Sequence, residues 1–245
     1  MQSQPLNRAR VEASIALAKQ VFRAFQINLP PFAEWTAKDW DRAGPDCNEV
    51  RDCMLGWDVT DFGSRDFKHI GRTLFTLRNG NLHDTRYPKS YAEKLILDPE
   101  GQRAPAHFHR TKREDIINRG GGNICVQLTR AGDDDQPAKG RLVIVLDGCA
   151  KTINSGGTVR LLPGESVCIP PRTIHQFWGE EGTGHRIDGI GYTVSSEVST
   201  VCDDLKDNFF FADLTRFPPI FEDVPRLHYL CNEYPLVSAT LRTEP

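Results

Sequence analysis

The chain has 245 residues, 39% hydrophobic and 26% charged, with a formal net charge of −3. That composition is ordinary for a soluble globular protein with a sizeable core, and the lack of a broad basic field argues against a nucleic-acid partner. No apolar run approaches the roughly 18–20 residues that span a bilayer, and the opening MQSQPLNRARVEASIALAKQ has no continuous apolar stretch for a secretory signal.

Residues 7–27 carry Val11, Ile15, Ala18, Phe22 and Phe25 at alternating four- and three-residue steps, with Glu12, Lys19 and Arg23 off the stripe. This predicts an amphipathic helix packed on a sheet or a partner subunit. Its polar face is too weakly basic for a membrane surface. LPPF ends it. In residues 31–70, CNEVRDCML suggests a second helix, and GWDVTDFGSRDF reads as a turn-rich connection punctuated by Gly56 and Gly63. Trp35, Trp40 and Trp57 are expected in a core or lid more than in a sugar pocket.

From Arg72 the texture changes to short apolar or alternating runs: RTLFTLR, YAEKLILD, APAHFHR, NICVQLTR, RLVIVLD, TVRLL, SVCIP, IHQFW and RIDGIGYTV. Clusters of Gly, Asp, Asn and Pro separate them, which implies a mainly β sandwich or barrel. AGDDDQPAKG reads as a solvated hairpin loop, without the ligand spacing of a calcium loop. After Ser195 the chain is rich in Asp, Phe and Pro and reads as an arm wrapping the barrel. One structural unit is expected: a helical extension over 1–70, the barrel over 71–196, and the arm over 197–245. Seven scattered cysteines with no C-x-x-C pair point to reduced thiols and a cytoplasmic location.

The chemistry concentrates in Gly101–Gly121, GQRAPAHFHRTKREDIINRGG. On a strand, His107 and His109 leave the same face, and Glu114 follows closely. His175, far along the chain, completes a set of three imidazoles and one carboxylate. Such a nitrogen–oxygen site suits Mn, Fe, Co, Ni or Zn, and a barrel mouth can bring the distant strands together. Asp115 is the rival carboxylate. His69, His83, His185 and His228 lack this context and read as structural.

The spacing is also that of the two cupin motifs, which the chain resembles. Gly101, His107, His109, Glu114 and Gly121 match every defining position of the first. In the second, Gly164, Pro170 and His175 match, while Arg172 and Gly179 replace the usual glycine and asparagine. Those two positions shape turns, so His175 stands as a ligand. The resemblance implies a cupin-type antiparallel β-barrel (double-stranded β-helix, or jelly roll) with N-terminal helices and a C-terminal arm.

It extends further. GWDVTDFG, FTLRNG, YAEKLILDPEGQ, HFHRTKREDIINRGGGN, PPRTIHQFWG and SSEVSTVCDDLKDN, spread over roughly Trp57 to Arg226, resemble the D-lyxose ketol-isomerase family of cupins. That likeness implies a homodimeric aldose–ketose isomerase with one divalent metal per chain, manganese ahead of Co, Fe or Zn. It would interconvert D-lyxose and D-xylulose, and often D-mannose and D-fructose.

Moving a carbonyl between C1 and C2 through a cis-enediol needs a base, a proton donor and charge stabilisation. Glu197 is the candidate base and Lys112 its catalytic partner. Lys94, Asp203, Asp204 and Arg216 are candidates for holding the sugar and closing the pocket. A direct hydride shift is the alternative mechanism. Two other functions compete: a cupin oxygenase, which would want a largely apolar pocket, and a non-catalytic sugar-binding cupin.

Overall fold

The computed structural model describes residues 5–204, 206–211 and 214–236. Helix α1 (Arg8–Ala24) begins where the Asn7 side chain accepts from the Arg10 N–H, an N-cap that satisfies an otherwise orphaned donor. The expected stripe of Val11, Ile15, Ala18 and Phe22 is buried, together with Val21. Two short helices follow, α2 (Ala37–Arg42), opened by a Thr36–Asp39 capping box, and α3 (Asn48–Asp52) inside the anticipated CNEVRDCML segment.

The first strand, β1 (Gly56–Thr60), corrects the reading of GWDVTDFGSRDF as a turn-rich connection. Trp57 and Val59 face α1, while Asp58 and Thr60 are buried against other polar groups. A strand whose polar residues are buried does not show the usual polar-out pattern. Then come β2 (Arg72–Arg78), β3 (Tyr91–Pro99), β4 (His107–His109), β5 (Glu114–Gly120), β6 (Ile124–Ala131), β7 (Pro137–Ala138) and β8 (Arg141–Leu146). They are followed by β9 (Cys149–Asn154), β10 (Gly157–Leu161), β11 (Ser166–Ile169), β12 (Thr173–Gly179), β13 (His185–Ile187), β14 (Ile190–Thr200) and β15 (Asn208–Phe210).

The strands form two antiparallel sheets of the cupin-like fold. One runs β1-β2-β3-β14-β5-β11-β8-β9, with β13 on β14; the other runs β10-β6-β12-β4-β15, with β7 on β6. Their facing sides interdigitate through Leu74, Ile96, Ile116 and Val167 from the first and Val126, Leu128, Leu161 and Phe177 from the second. Helix α1 covers the back of the first sheet, stacking Phe22 on Trp57 in a cluster that includes Phe75, Leu97 and Val194.

Several boundaries differ from the sequence reading. RIDGIGYTV is two strands, because Asp188 and Gly189, at φ 49° and 81°, make the tight turn joining β13 to β14. AGDDDQPAKG closes a hairpin between β6 and the short β7, after which the chain leaves for β8 in the other sheet. CAKTIN, read as no strand, is the edge strand β9, almost wholly exposed and so without an apolar pattern. The sheets also overrun 71–196: β1 precedes that span, β14 runs to Thr200, and β15 of the arm pairs with the edge of β4.

The arm is clasped to the start of α1. Arg8, fully buried, donates to Glu222 and Glu233, and the two segments also join through the Asn7–Phe221 bridge. Arg8→Ala should destabilise the fold by about 3 kcal/mol, the low end for breaking a buried pair because Glu222 is partly exposed. For a chain of this size that lowers Tm by about 6–12 °C, readable by calorimetry. Glu222 sits at about 2, below its ordinary 4.5, because Arg8 donates to it and outweighs the opposing effect of burial. A depressed carboxyl contributes its full stability above about pH 4.5 and loses it as pH falls through about 2.

Candidate active site

Strand alternation puts His107 and His109 on one face of β4, and the register sets His175 of β12 directly opposite His107. Glu114, first in β5, reaches across from the other sheet. The imidazole donor atoms of the three histidines all lie within 4.8 Å of one another. Glu114 Oε1 is 2.8 Å from His175 Nε2, and Oε2 is 3.5 Å from His109 Nε2. Gly121, which bounds this stretch, has φ 102°, and a Cβ there would sit 2.4 Å from the Tyr192 carbonyl. Asp115 alternates to the opposite face of β5, beside Cys168.

The ring orientations are set from behind. His107 Nδ1 donates to the Pro105 carbonyl at 2.8 Å, and His175 Nδ1 to the Thr173 carbonyl at 2.9 Å. A carbonyl only accepts, so each Nδ1 carries a hydrogen and each Nε2 is the ring nitrogen turned inward. Burial, reinforced by His175 and His109, holds the His107 imidazole well below its ordinary range and therefore neutral. Burial alone would raise the Glu114 carboxyl, but Lys112, His175 and His109 outweigh it and keep it ionised. Glu114 Oε1 is buried, faces His175 Nε2, and has no hydrogen-bond partner. Imidazole nitrogens converging with an orphaned carboxylate oxygen are a donor set for a divalent metal.

Beside this cluster lies a network of charges. Glu197 of β14 is paired in register with Lys94 of β3. Lys112, in the turn between β4 and β5, donates to Glu197 Oε1 at 2.7 Å and approaches Glu114 Oε2 at 2.8 Å. Ser199 Oγ and Cys202 Sγ also donate to Glu197 Oε1, and among the described residues no hydrogen bond ends on Oε2. Burial pushes the Glu197 carboxyl up, but Lys112 and Lys94 prevail and lower it. Lys94 lies 3.5 Å from Asp204, Asp204 lies 3.5 Å from Arg216, and Arg216 pairs closely with Asp58.

Histidine cluster, Glu114, Lys112, Glu197, Lys94, Asp204 and Arg216 line one open cleft of about 500 Å³, part of it solvent. Asp203 is the exception among the anticipated residues. Its carboxylate turns away to His83 Nε2 at 3.1 Å and does not line the cleft. The chain turns here, with Lys206 N and Asp207 N donating back to the Asp203 carbonyl, and the two adjacent carboxylates leave it in different directions.

Other residues of the site escaped the sequence reading. Asp58 and Thr60 do not line the cleft but hold Arg216 from behind: Asp58 pairs with its guanidinium, and Thr60 Oγ1 donates to its carbonyl. Arg72 lines the cleft, held by Asp98 at 2.5 Å and stacked over Phe177. Asp207 lies outside the lining but clamps it, accepting from Thr111 N, Thr111 Oγ1 and Lys112 N. The available signal for the first two was the alternation of Asp58 and Thr60 with Trp57 and Val59; Asp207 had none.

A sequence model described as D-lyxose isomerase matches residues 6–234. A D-lyxose/D-mannose isomerase of Serratia proteamaculans is 48% identical over 214 residues, covering 87% of this chain and 91% of that protein. A D-lyxose/D-mannose isomerase of Escherichia coli O157:H7 is 43% identical over 230 residues, covering 94% and 98%. Among solved structures, the L-ribose isomerase of Geodermatophilus obscurus matches with TM-score 0.58 at 16% identity, over 91% of this chain and 100% of that one. The Cellulomonas parahominis L-ribose isomerase with L-psicose matches with TM-score 0.58 at 18% identity, over 90% and 100%. At such identities the structural matches show a shared fold.

Proposed function

We propose that this chain, which belongs to the D-lyxose isomerase family and is a sugar isomerase, interconverts D-lyxose with D-xylulose and D-mannose with D-fructose by metal-dependent proton transfer. The observation that carries the reading is the state of Glu197. One of its oxygens is tied to Lys112, Ser199 and Cys202, while the other takes no hydrogen bond among the described residues, beside a convergent three-histidine, one-carboxylate set.

His107, His109, His175 and Glu114 would hold one divalent metal, manganese first, with Co, Fe or Zn as alternatives. Bound there, it would supply Lewis-acid stabilisation of negative charge on the sugar oxygens O1 and O2. Glu197 takes the proton from C2 and returns it to C1 while the O2 hydroxyl proton passes to O1, so one C–H and one O–H bond break and one of each forms through a cis-enediol. Lys112 stays charged, raised well above its ordinary range because Cys202, Glu114 and Glu197 outweigh the effect of burial. It donates to the oxygen on which charge develops. Lys94, Asp204 and Arg216 bind the remaining hydroxyls. Asp203, facing His83, has no part in this.

Charge pairing supports a neutral, unphosphorylated sugar. Among the described residues of the cleft, Arg72, Lys94, Lys112 and Arg216 each already face a carboxylate, so none offers the unpaired positive charge that a phosphate would draw on. The same charged lining suits a polyol and not the apolar substrate expected of an oxygenase. A homodimer in the cytoplasm is part of the proposal, and seven free cysteines suit a reducing compartment.

The test is an anaerobic assay of chelated enzyme with D-lyxose and D-mannose, adding back Mn, Co, Fe or Zn one at a time. Ketose should form only after a metal returns, without oxygen consumption. If no metal restores ketose from either aldose, the proposal falls. Sugar deuterated at C2 should release label to water; full retention at C1 would establish hydride transfer instead.

A further inference from the structure

Phe62 is buried, lines the cleft, and has φ 56°. Among the described residues lining the cleft it alone is a side-chain-bearing residue in the left-handed region. For a bulky residue that conformation is strained, and it persists only where the surroundings impose it. Here they do. Phe62 N donates to Thr60 Oγ1 at 2.9 Å, and the Phe62 carbonyl accepts from Thr215 N at 3.1 Å. Just beyond, the Asp61 carboxylate accepts from Gly63 N and Arg65 N. The turn is over-determined, and its effect is to aim one aromatic ring into the cleft.

That ring stands away from the reacting groups. Its centroid is 5.8 Å from that of Phe210, whose own ring is 5.4 Å from His107, and among the described residues no ring contact links Phe62 to a histidine of the cluster directly. The Arg216 guanidinium carbon lies 5.8 Å from the Phe62 ring centroid, and Arg216 Nη1 is buried without a partner. With C1 and C2 at Glu197 and Lys112, Phe62 and Arg216 face the far end of the sugar. D-Lyxose and D-mannose share the configuration at C2, C3 and C4, and mannose adds one carbon at that far end. A rigid ring there senses the one difference between them.

We propose that Phe62 is a specificity-determining residue: the wall that sets the preference between five- and six-carbon aldoses. This rests on the isomerase reading above. One added carbon against an apolar wall is worth roughly tenfold or more in kcat/KM. Phe62→Leu and Phe62→Gly should therefore raise the ratio of kcat/KM for D-mannose to that for D-lyxose by about tenfold. Most of the change should fall in KM, because the ring touches no reacting atom. Phe62→Gly also relieves the left-handed backbone, which protects folding against the lost ring. Phe62→Trp should move the ratio the opposite way.

Steady-state kinetics of the metal-loaded enzyme and these variants on both sugars decides it. Opposite movement of the ratio by the smaller and larger residues supports the proposal. An active enzyme whose ratio is unmoved, or whose kcat falls equally on both sugars, overturns it and leaves the isomerase reading intact. Failure of the unsubstituted enzyme on both sugars overturns both.

Discussion

Glu197→Gln should lower kcat on D-lyxose by about 10²–10⁴-fold, the usual contribution of a positioned base, with KM changed far less. Glutamine keeps the shape and can still accept from Lys112 through its amide oxygen. It cannot hold the proton taken from C2. Lys112 and Lys94 hold the Glu197 carboxyl below its ordinary 4.5 against the opposing effect of burial, so the base is ionised across the neutral range. The variant should retain its metal and its Tm to within a few degrees, and exchange of the C2 proton with deuterated water should cease along with turnover. A variant within threefold of the parent kcat would remove Glu197 from the chemistry and direct attention to Asp204, the other carboxylate in contact with Lys94.

His175→Ala should weaken divalent-metal binding by more than about 100-fold, since loss of a mere supporting partner behind a ligand already costs 10–100-fold. Turnover should fall with it and not return at high metal concentration. His175 is opposite His107 in register and bridges the two sheets to Glu114, so its loss removes one ligand and the neighbour of another. Titration calorimetry with manganese measures the affinity, and elemental analysis the stoichiometry. Unchanged affinity and one metal per chain would show that the ion is held elsewhere. Gln176, the next residue, faces the other way and donates to the Ala104 carbonyl. Gln176→Ala is therefore the control, expected to leave metal affinity unchanged.

How far such residues could be read in advance depended on whether local periodicity carried the information. His107 and His109 two apart on a strand, with His175 at motif spacing, declare a shared face without any structure. Glu197 and Lys94 were legible as charges near the ligand strands, and the register makes them neighbours. Asp203 and Asp204 were not separable, because outside a strand nothing in the sequence says which of two adjacent side chains turns inward. β1 was missed because its polar residues are buried against Arg216, a contact across 158 positions. Phe62 was invisible for a different reason: its left-handed backbone is imposed by Thr60 and Thr215, and phenylalanine itself gives no hint of it. Edge strand β9 is exposed on both faces, so no apolar period exists to be found.

The clasp at Arg8 also has a bearing on synthesis. Its guanidinium must wait for Glu222 and Glu233, which lie 214 and 225 positions later. At about 5–20 residues per second, α1 spends roughly ten seconds or more outside the ribosome with that charge unmatched. A nascent chain halted before the arm emerges therefore lacks the lock on its first helix, the β15 edge on β4, and the Asp207 clamp on Lys112. Completion of the catalytic cleft is deferred until the segment after β14 is made, so an interrupted translation product carries histidines that can meet but no finished cleft around them.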